Sequence, residues 1–162
     1  MSVSKFLVVM LLSLGIMTSA FAANKSRELA IDGNFMTSDG QSASLLNASL
    51  GQFVTPQFAI VTALSTQKNF VYSATTIGIG GKFYFMDGFK GDLVPFAGLG
   101  IGLRLSATAT DSNHGSTQYD FNGGVAYFLS DSTTLDAKAK ILTFNDSSPV
   151  VTVFTVGFSQ RF

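Results

Sequence analysis

The chain has 162 residues with ten basic and ten acidic side chains, so its charge balances and offers no basic footprint for nucleic acid. It contains no cysteine, which excludes disulfides, thiolate chemistry and a lipoprotein anchor, and its single histidine makes a poor metal site. Only 12% of residues are charged, against about a quarter in an average soluble domain, while 46% are hydrophobic and Phe occurs 16 times, so an apolar medium is expected to cover part of the surface.

The first element in chain order is a leader. Met1 to Lys5 carries one positive charge, Phe6 to Met17 is apolar, and the stretch Thr18 to Ala22 closes on Ala20-Phe21-Ala22. That is the pattern of a secretory signal peptide with cleavage before Ala23. Its apolar run falls short of the roughly 20 residues a membrane-spanning helix needs. Residues 1–22 are therefore set aside, and 23–162 is expected to be one domain exported through the periplasm. No later stretch approaches roughly 18 consecutive apolar residues, which excludes a helical span and leaves the closed β-barrel as the membrane solution.

Beyond the leader, apolar side chains alternate with polar or small ones in segments of about ten residues, and turn residues separate the segments. Strands are expected over 27–36, 43–54, 58–66, 73–86, 93–107, 117–129, 133–144 and 150–162. The connections 55–57, 87–92 and 130–132 share one end with the termini. The loops 37–41, 67–72, 108–116 and 145–149 share the other, with 108–116 the longest. An even strand count fits an all-β, eight-stranded, antiparallel up-and-down transmembrane β-barrel.

Within each strand the bulky apolar residues keep one parity: Leu29, Ile31 and Phe35 in the first, Ile77, Ile79, Phe83 and Phe85 in the fourth, Leu99, Ile101, Leu103 and Leu105 in the fifth. The opposite parity holds Glu28, Asp32, Asp120 and Asp136 with Lys82, Arg104, Lys138, Lys140 and Arg161. The apolar parity is expected to carry no charge. Parity alone does not separate inside from outside, but capacity does: eight strands enclose a lumen barely wide enough for side chains, so the Phe, Ile and Leu belong on the larger outer face. The nearly balanced inward charges then form a lumen network, pairing to offset their desolvation.

Gly51-Gln52-Phe53-Val54, Phe83-Tyr84-Phe85, Pro95-Phe96-Ala97-Gly98 and Gly124-Val125-Ala126-Tyr127-Phe128-Leu129 follow one another as aromatic strand ends beside turns. With Phe154, Val156, Phe158 and the terminal Phe162 at alternate positions, the chain resembles the bacterial outer-membrane β-barrel-domain family, the small OmpA/OmpX-like eight-stranded barrels. The resemblance implies an outer-membrane location, lipid as the surrounding partner, and Phe154, Val156, Phe158 and Phe162 as the signal read by the barrel assembly machinery. Gln160 departs from that signal, where the family usually has an aromatic or apolar residue.

Other motifs carry less. Gly98-Leu99-Gly100-Ile101-Gly102 lacks the spacing and following helix of a nucleotide loop; inward glycines here are expected to make room for neighbours such as Phe96, Arg104 or Lys82. His114 and Ser116 faintly resemble the His-x-Ser of outer-membrane lipid A deacylases, but Thr117 follows instead of Asn and the pair is read in a loop rather than on a lipid-facing strand. The expected function is a structural or surface-interaction role without catalysis, cofactor or metal, in a monomer that meets any surface partner through its four outward loops. The rival expectations are a lipid-modifying enzyme, a narrow pore, and a soluble periplasmic barrel binding an apolar ligand.

Overall fold

In the computed structural model, which describes residues 26–38, 41–68, 72–86, 92–108, 112–145 and 150–162, the alternating segments pair into eight strands. They are β1 (Arg27–Ser38), β2 (Gln41–Phe53), β3 (Phe58–Lys68), β4 (Tyr72–Tyr84), β5 (Leu93–Thr108), β6 (Ser112–Ser130), β7 (Thr133–Phe144) and β8 (Val151–Arg161). Each strand is antiparallel to the next, and β8 returns to pair with β1, so the sheet closes into a barrel. Closure satisfies the backbone without leaving a sheet edge, which is the condition for crossing lipid with strands.

Side-chain period and closure together sort the residues. Phe35, Leu103 and Phe154 stand 72%, 70% and 72% exposed on the outer surface, whereas Glu28, Asp32, Asp136 and Lys140 are 5% exposed or less in the lumen. An apolar outside around a charged inside is the inverse of a soluble barrel and suits a hydrocarbon solvent. Two charges break the expected rule that the apolar parity is uncharged. Arg27 shares the parity of Leu29 and donates to Gln52 at 3.0 Å, and Lys68 lies exposed on the parity of Ile60. Both sit at strand ends, where the chain leaves the apolar band and a charge costs little.

The connections at the far end, away from the termini, are shorter than expected. β5 runs to Thr108 and β6 starts at Ser112, with Ser106 opposite His114 and Ala107 opposite Ser112, so most of the expected 108–116 loop is strand. β1 likewise reaches Ser38, β2 starts at Gln41, β3 reaches Lys68 and β4 starts at Tyr72. The polarity of these stretches does not prevent their pairing. Of the expected 37–41, 67–72, 108–116 and 145–149 loops, 39–40, 69–71, 109–111 and 146–149 lie outside the described residues. At the terminal end, Thr55 and Phe58 exchange backbone hydrogen bonds at 3.3 Å around a tight turn, and Asp131 and Ser132 form another.

Glycine permits the tight curvature. A Cβ on Gly80 would run into the carbonyl of Leu99, and one on Gly124 into the carbonyl of Ala137. At these corners the lumen-facing side of the sheet has room for backbone alone. The space beside Gly98 goes to Asn122, whose amide oxygen lies 2.7 Å from where a Cβ would be, and that beside Gly102 to the methyl of Thr76. Phe96, Arg104 and Lys82, the expected beneficiaries, are not the nearest neighbours there.

Candidate functional site: a plugged lumen

The lumen charges fall into two groups stacked along the barrel. Near the termini, Glu28 of β1 stands opposite Arg161 of β8 in the closing ladder and accepts its Nε at 3.2 Å. Lys82 reaches from β4 to Glu28 at 2.9 Å and to Asp136 of β7 at 3.5 Å. The Tyr84 hydroxyl lies 2.7 and 2.9 Å from the two Glu28 oxygens. Asp136 also accepts from the Thr134 hydroxyl at 2.7 Å, and Thr134 bonds Ser159. The Glu28 carboxylate thus ties β4 and β8 to β1.

Aromatic rings close this end. The Arg161 guanidinium carbon lies 4.7, 4.7 and 4.9 Å from the ring centres of Phe53, Tyr84 and Phe128, and the Lys82 ammonium 4.6 and 4.4 Å from those of Tyr84 and Phe96. Each such contact is attractive, more so when desolvated. Tyr84, Val94, Phe96 and Ala126 are buried together, with Phe53, Met86 and Phe128 packed against them. Salt bridges and rings therefore form one plug across the lumen.

The second group lies further along the barrel. Asp32 of β1 takes Lys138 at 2.7 Å and the amide of Asn47 at 2.8 Å. Lys140 stands 3.4 Å from its other oxygen, as an ion pair without hydrogen-bond geometry. Asp120 accepts from Asn122 at 2.8 Å, and Arg104 lies over Phe144, 4.4 Å from its centre. At the far end Leu45, Leu142 and Val153 form a smaller buried cluster with Phe144 and Val151 against it.

Between the two ends the lumen is not filled. A cavity of about 100 Å³ lies there, bordered by small residues, among them Ser49, Ala63 and Gly100, and by the charged Asp120, Lys138 and Lys140. It is large enough for several water molecules, for which Asp120, Lys138 and Lys140 supply polar partners in an otherwise largely apolar lining. Among the described residues no group of three or more His, Cys, Asp or Glu is placed to hold a metal ion.

Phe154, Val156 and Phe158 stand on the outer face of β8, 72%, 61% and 49% exposed. Phe162 exchanges backbone hydrogen bonds with Arg27 at 3.1 and 3.0 Å, anchoring the last residue to the first strand. The departing Gln160 accepts the Thr133 hydroxyl at 2.9 Å. His114 belongs to β6 rather than to a loop, its side chain lying outside the described set, and Ser116 is buried with no hydrogen-bond partner for its hydroxyl. Tyr84, Phe53 and Phe128 were not singled out from sequence as lumen residues, yet each sits on the charged parity beside outward neighbours such as Phe83 and Phe85. Parity was the signal that could have found them.

A closed eight-stranded barrel with an apolar exterior and an ion-paired interior defines a transmembrane β-barrel of the outer-membrane class. The chain belongs to the outer membrane protein beta-barrel domain family, which it matches over residues 7–162. Among solved structures it is similar to the N-terminal β-barrel domain of Pseudomonas aeruginosa OprF, with a TM-score of 0.69 at 14% identity over 86% of this chain and 98% of that one. Neisserial surface protein A gives 0.63 at 17% identity over 84% and 95%, and Yersinia pestis Ail in a phospholipid nanodisc 0.55 at 12% over 84% and 98%. These likenesses are of fold. No curated protein sequence matches the chain.

Proposed function

We propose that this protein is a non-conducting, non-enzymatic barrel of the outer membrane, monomeric, with a structural or surface-interaction role. The observation that carries this reading is the terminal plug, in which Arg161 and Lys82 fill the space among Phe53, Tyr84, Phe96 and Phe128 and are neutralised by Glu28 and Asp136. A solute would have to break several buried ion pairs to pass it. The termini and the plug face the periplasm, and the hairpin tips at 37–41, 67–72, 108–116 and 145–149 face outside, where a surface partner would meet them. Because the strands run close to the tips, such contacts are small. The route is export through the periplasm after cleavage before Ala23, with Phe154, Val156, Phe158 and Phe162 read by the barrel assembly machinery.

Burial of Ser116 on the lumen side argues against the lipid-modifying alternative, since a nucleophile for acyl chains belongs on the lipid face. Planar-bilayer recording tests the main reading. Verified insertion without discrete conductance is expected, and steady single-channel steps would replace it with a pore. Lipid A acylation unchanged by the presence of the protein is the matching expectation against an enzyme.

A further inference from the structure

Asp32, Asn47 and Lys138 meet at a single atom. Asp32 and Asn47 stand opposite each other on β1 and β2, and Lys138 reaches them from β7, across β8. Asp32 Oδ2 accepts the Lys138 ammonium at 2.7 Å and the Asn47 side-chain amide at 2.8 Å. The amine and amide nitrogens are therefore no more than two hydrogen-bond lengths apart. A Cβ on Gly157 of β8 would run into Asp32 Cβ, so glycine there admits the carboxylate. Asp32 and Asn47 are buried, and the Lys138 side chain is only 10% exposed.

A carboxylate oxygen that touches both an amine and a primary amide is placed to move protons from one to the other. A lysine amine becomes a nucleophile when an adjacent base takes its proton. Holding that amine beside the amide, in strands that cannot drift apart, supplies the proximity that the same attack lacks in water.

We propose that Lys138 and Asn47 become joined by an isopeptide bond, with Asp32 as the acid–base group. Asp32 takes a proton from the Lys138 ammonium, and the freed Nζ attacks Cγ of Asn47. The Cγ–Nδ2 bond breaks as Asp32 hands protons from Nζ to the departing Nδ2. That nitrogen leaves as ammonium, Nζ keeps one hydrogen in the new amide, and Asp32 ends as the carboxylate it began as. Asn47 and Lys138 both border the lumen cavity, into which the ammonium departs. Lys140, 3.4 Å from Asp32 Oδ1, leaves the carboxylate a cationic partner once Lys138 is consumed. The product staples β2 to β7 and so bridges the β1–β8 seam, where the ladder runs only from Glu28 opposite Arg161 to Gly33 opposite Val156.

Intact-mass spectrometry of the mature chain, first unfolded in urea and then folded into detergent micelles, reads the reaction directly. The unfolded chain is expected at the mass of its sequence. The folded barrel, verified by heat-modifiable gel mobility, is expected to be lighter by one ammonia, with a digest that joins the peptide holding Asn47 to the one holding Lys138. Asp32→Ala and Lys138→Met keep the full mass; should neither fold, the digest of the unaltered chain decides alone. Folded protein at full mass, or lighter by one water, would overturn the bond, the latter marking a link to Asp32 itself. So would an ammonia loss without the Asn47–Lys138 link, which marks a succinimide, and the link persisting in folded Asp32→Ala would remove Asp32 from the reaction. None of these outcomes bears on conductance or on which end faces outside, so the bond and the proposed function fail separately.

Discussion

The Tyr84 hydroxyl and the Glu28 carboxylate meet across the lumen at 2.7 and 2.9 Å, joining β4 to β1 at the point where Arg161 and Lys82 also converge. Removing the Glu28 charge leaves two buried cations facing only Asp136. Glu28→Gln is expected to cost about 3 kcal/mol, as breaking a buried ion pair does. Tyr84→Phe, which deletes one charge-assisted hydrogen bond, should cost about 2 kcal/mol. Urea titration of the folded, fast-migrating gel band measures both. A Glu28→Gln barrel as stable as the parent would show that the plug is not held by its charges.

Much of this barrel was legible in the residues. Alternation separated Asp32, Lys138 and Lys140 from Phe154 and Val156 before any fold was known, because the period of a strand is a property of the backbone. What sequence could not supply was height along the barrel. That Asp32 meets Lys138, a hundred residues away, depends on the stagger of all eight strands. Strand ends escape sequence reading for a related reason: Ser112 and Gly115 have the composition of a turn, yet pairing with Ala107 and Leu105 of β5 carries them into strand, with Asn113 taken up at a shift in register. Tyr84 was read as part of an aromatic strand end, and its role emerged only when Phe53, Phe96 and Phe128 closed round it.

Glycines at the corners should differ sharply from one at the rim. Gly80→Ala and Gly124→Ala push a methyl into a backbone carbonyl, whereas Gly115 has nothing within 4 Å of a Cβ. The first two are expected to cost several kcal/mol or block closure, and Gly115→Ala to leave the urea midpoint unchanged. Comparable midpoints for all three would contradict the corner assignment.

Lipid contact predicts a dependence on depth. Ile101 is mid-strand on the outer face, and Thr66 lies two positions from the rim residue Lys68. Ile101→Lys should destabilise the barrel in vesicles by about 2–4 kcal/mol and Thr66→Lys by less than about 1 kcal/mol. Equal effects would mean that the outer face does not sit in hydrocarbon at these heights.

Assembly should depend on the last residue more than stability does. Phe162→Ala keeps the two backbone bonds to Arg27. It is expected to slow insertion by reconstituted assembly machinery severalfold while leaving the urea midpoint of the folded barrel nearly unchanged. Unaltered insertion kinetics would remove Phe162 from the assembly signal.

The central claim, a closed barrel with lipid outside and charge inside, is tested most directly by the protein in separated membranes run on SDS gels with and without boiling. Recovery in the outer-membrane fraction with a mobility shift on heating is the predicted result. A detergent-free soluble protein with no heat-dependent shift would contradict it, and would place the Phe, Ile and Leu face in the lumen instead.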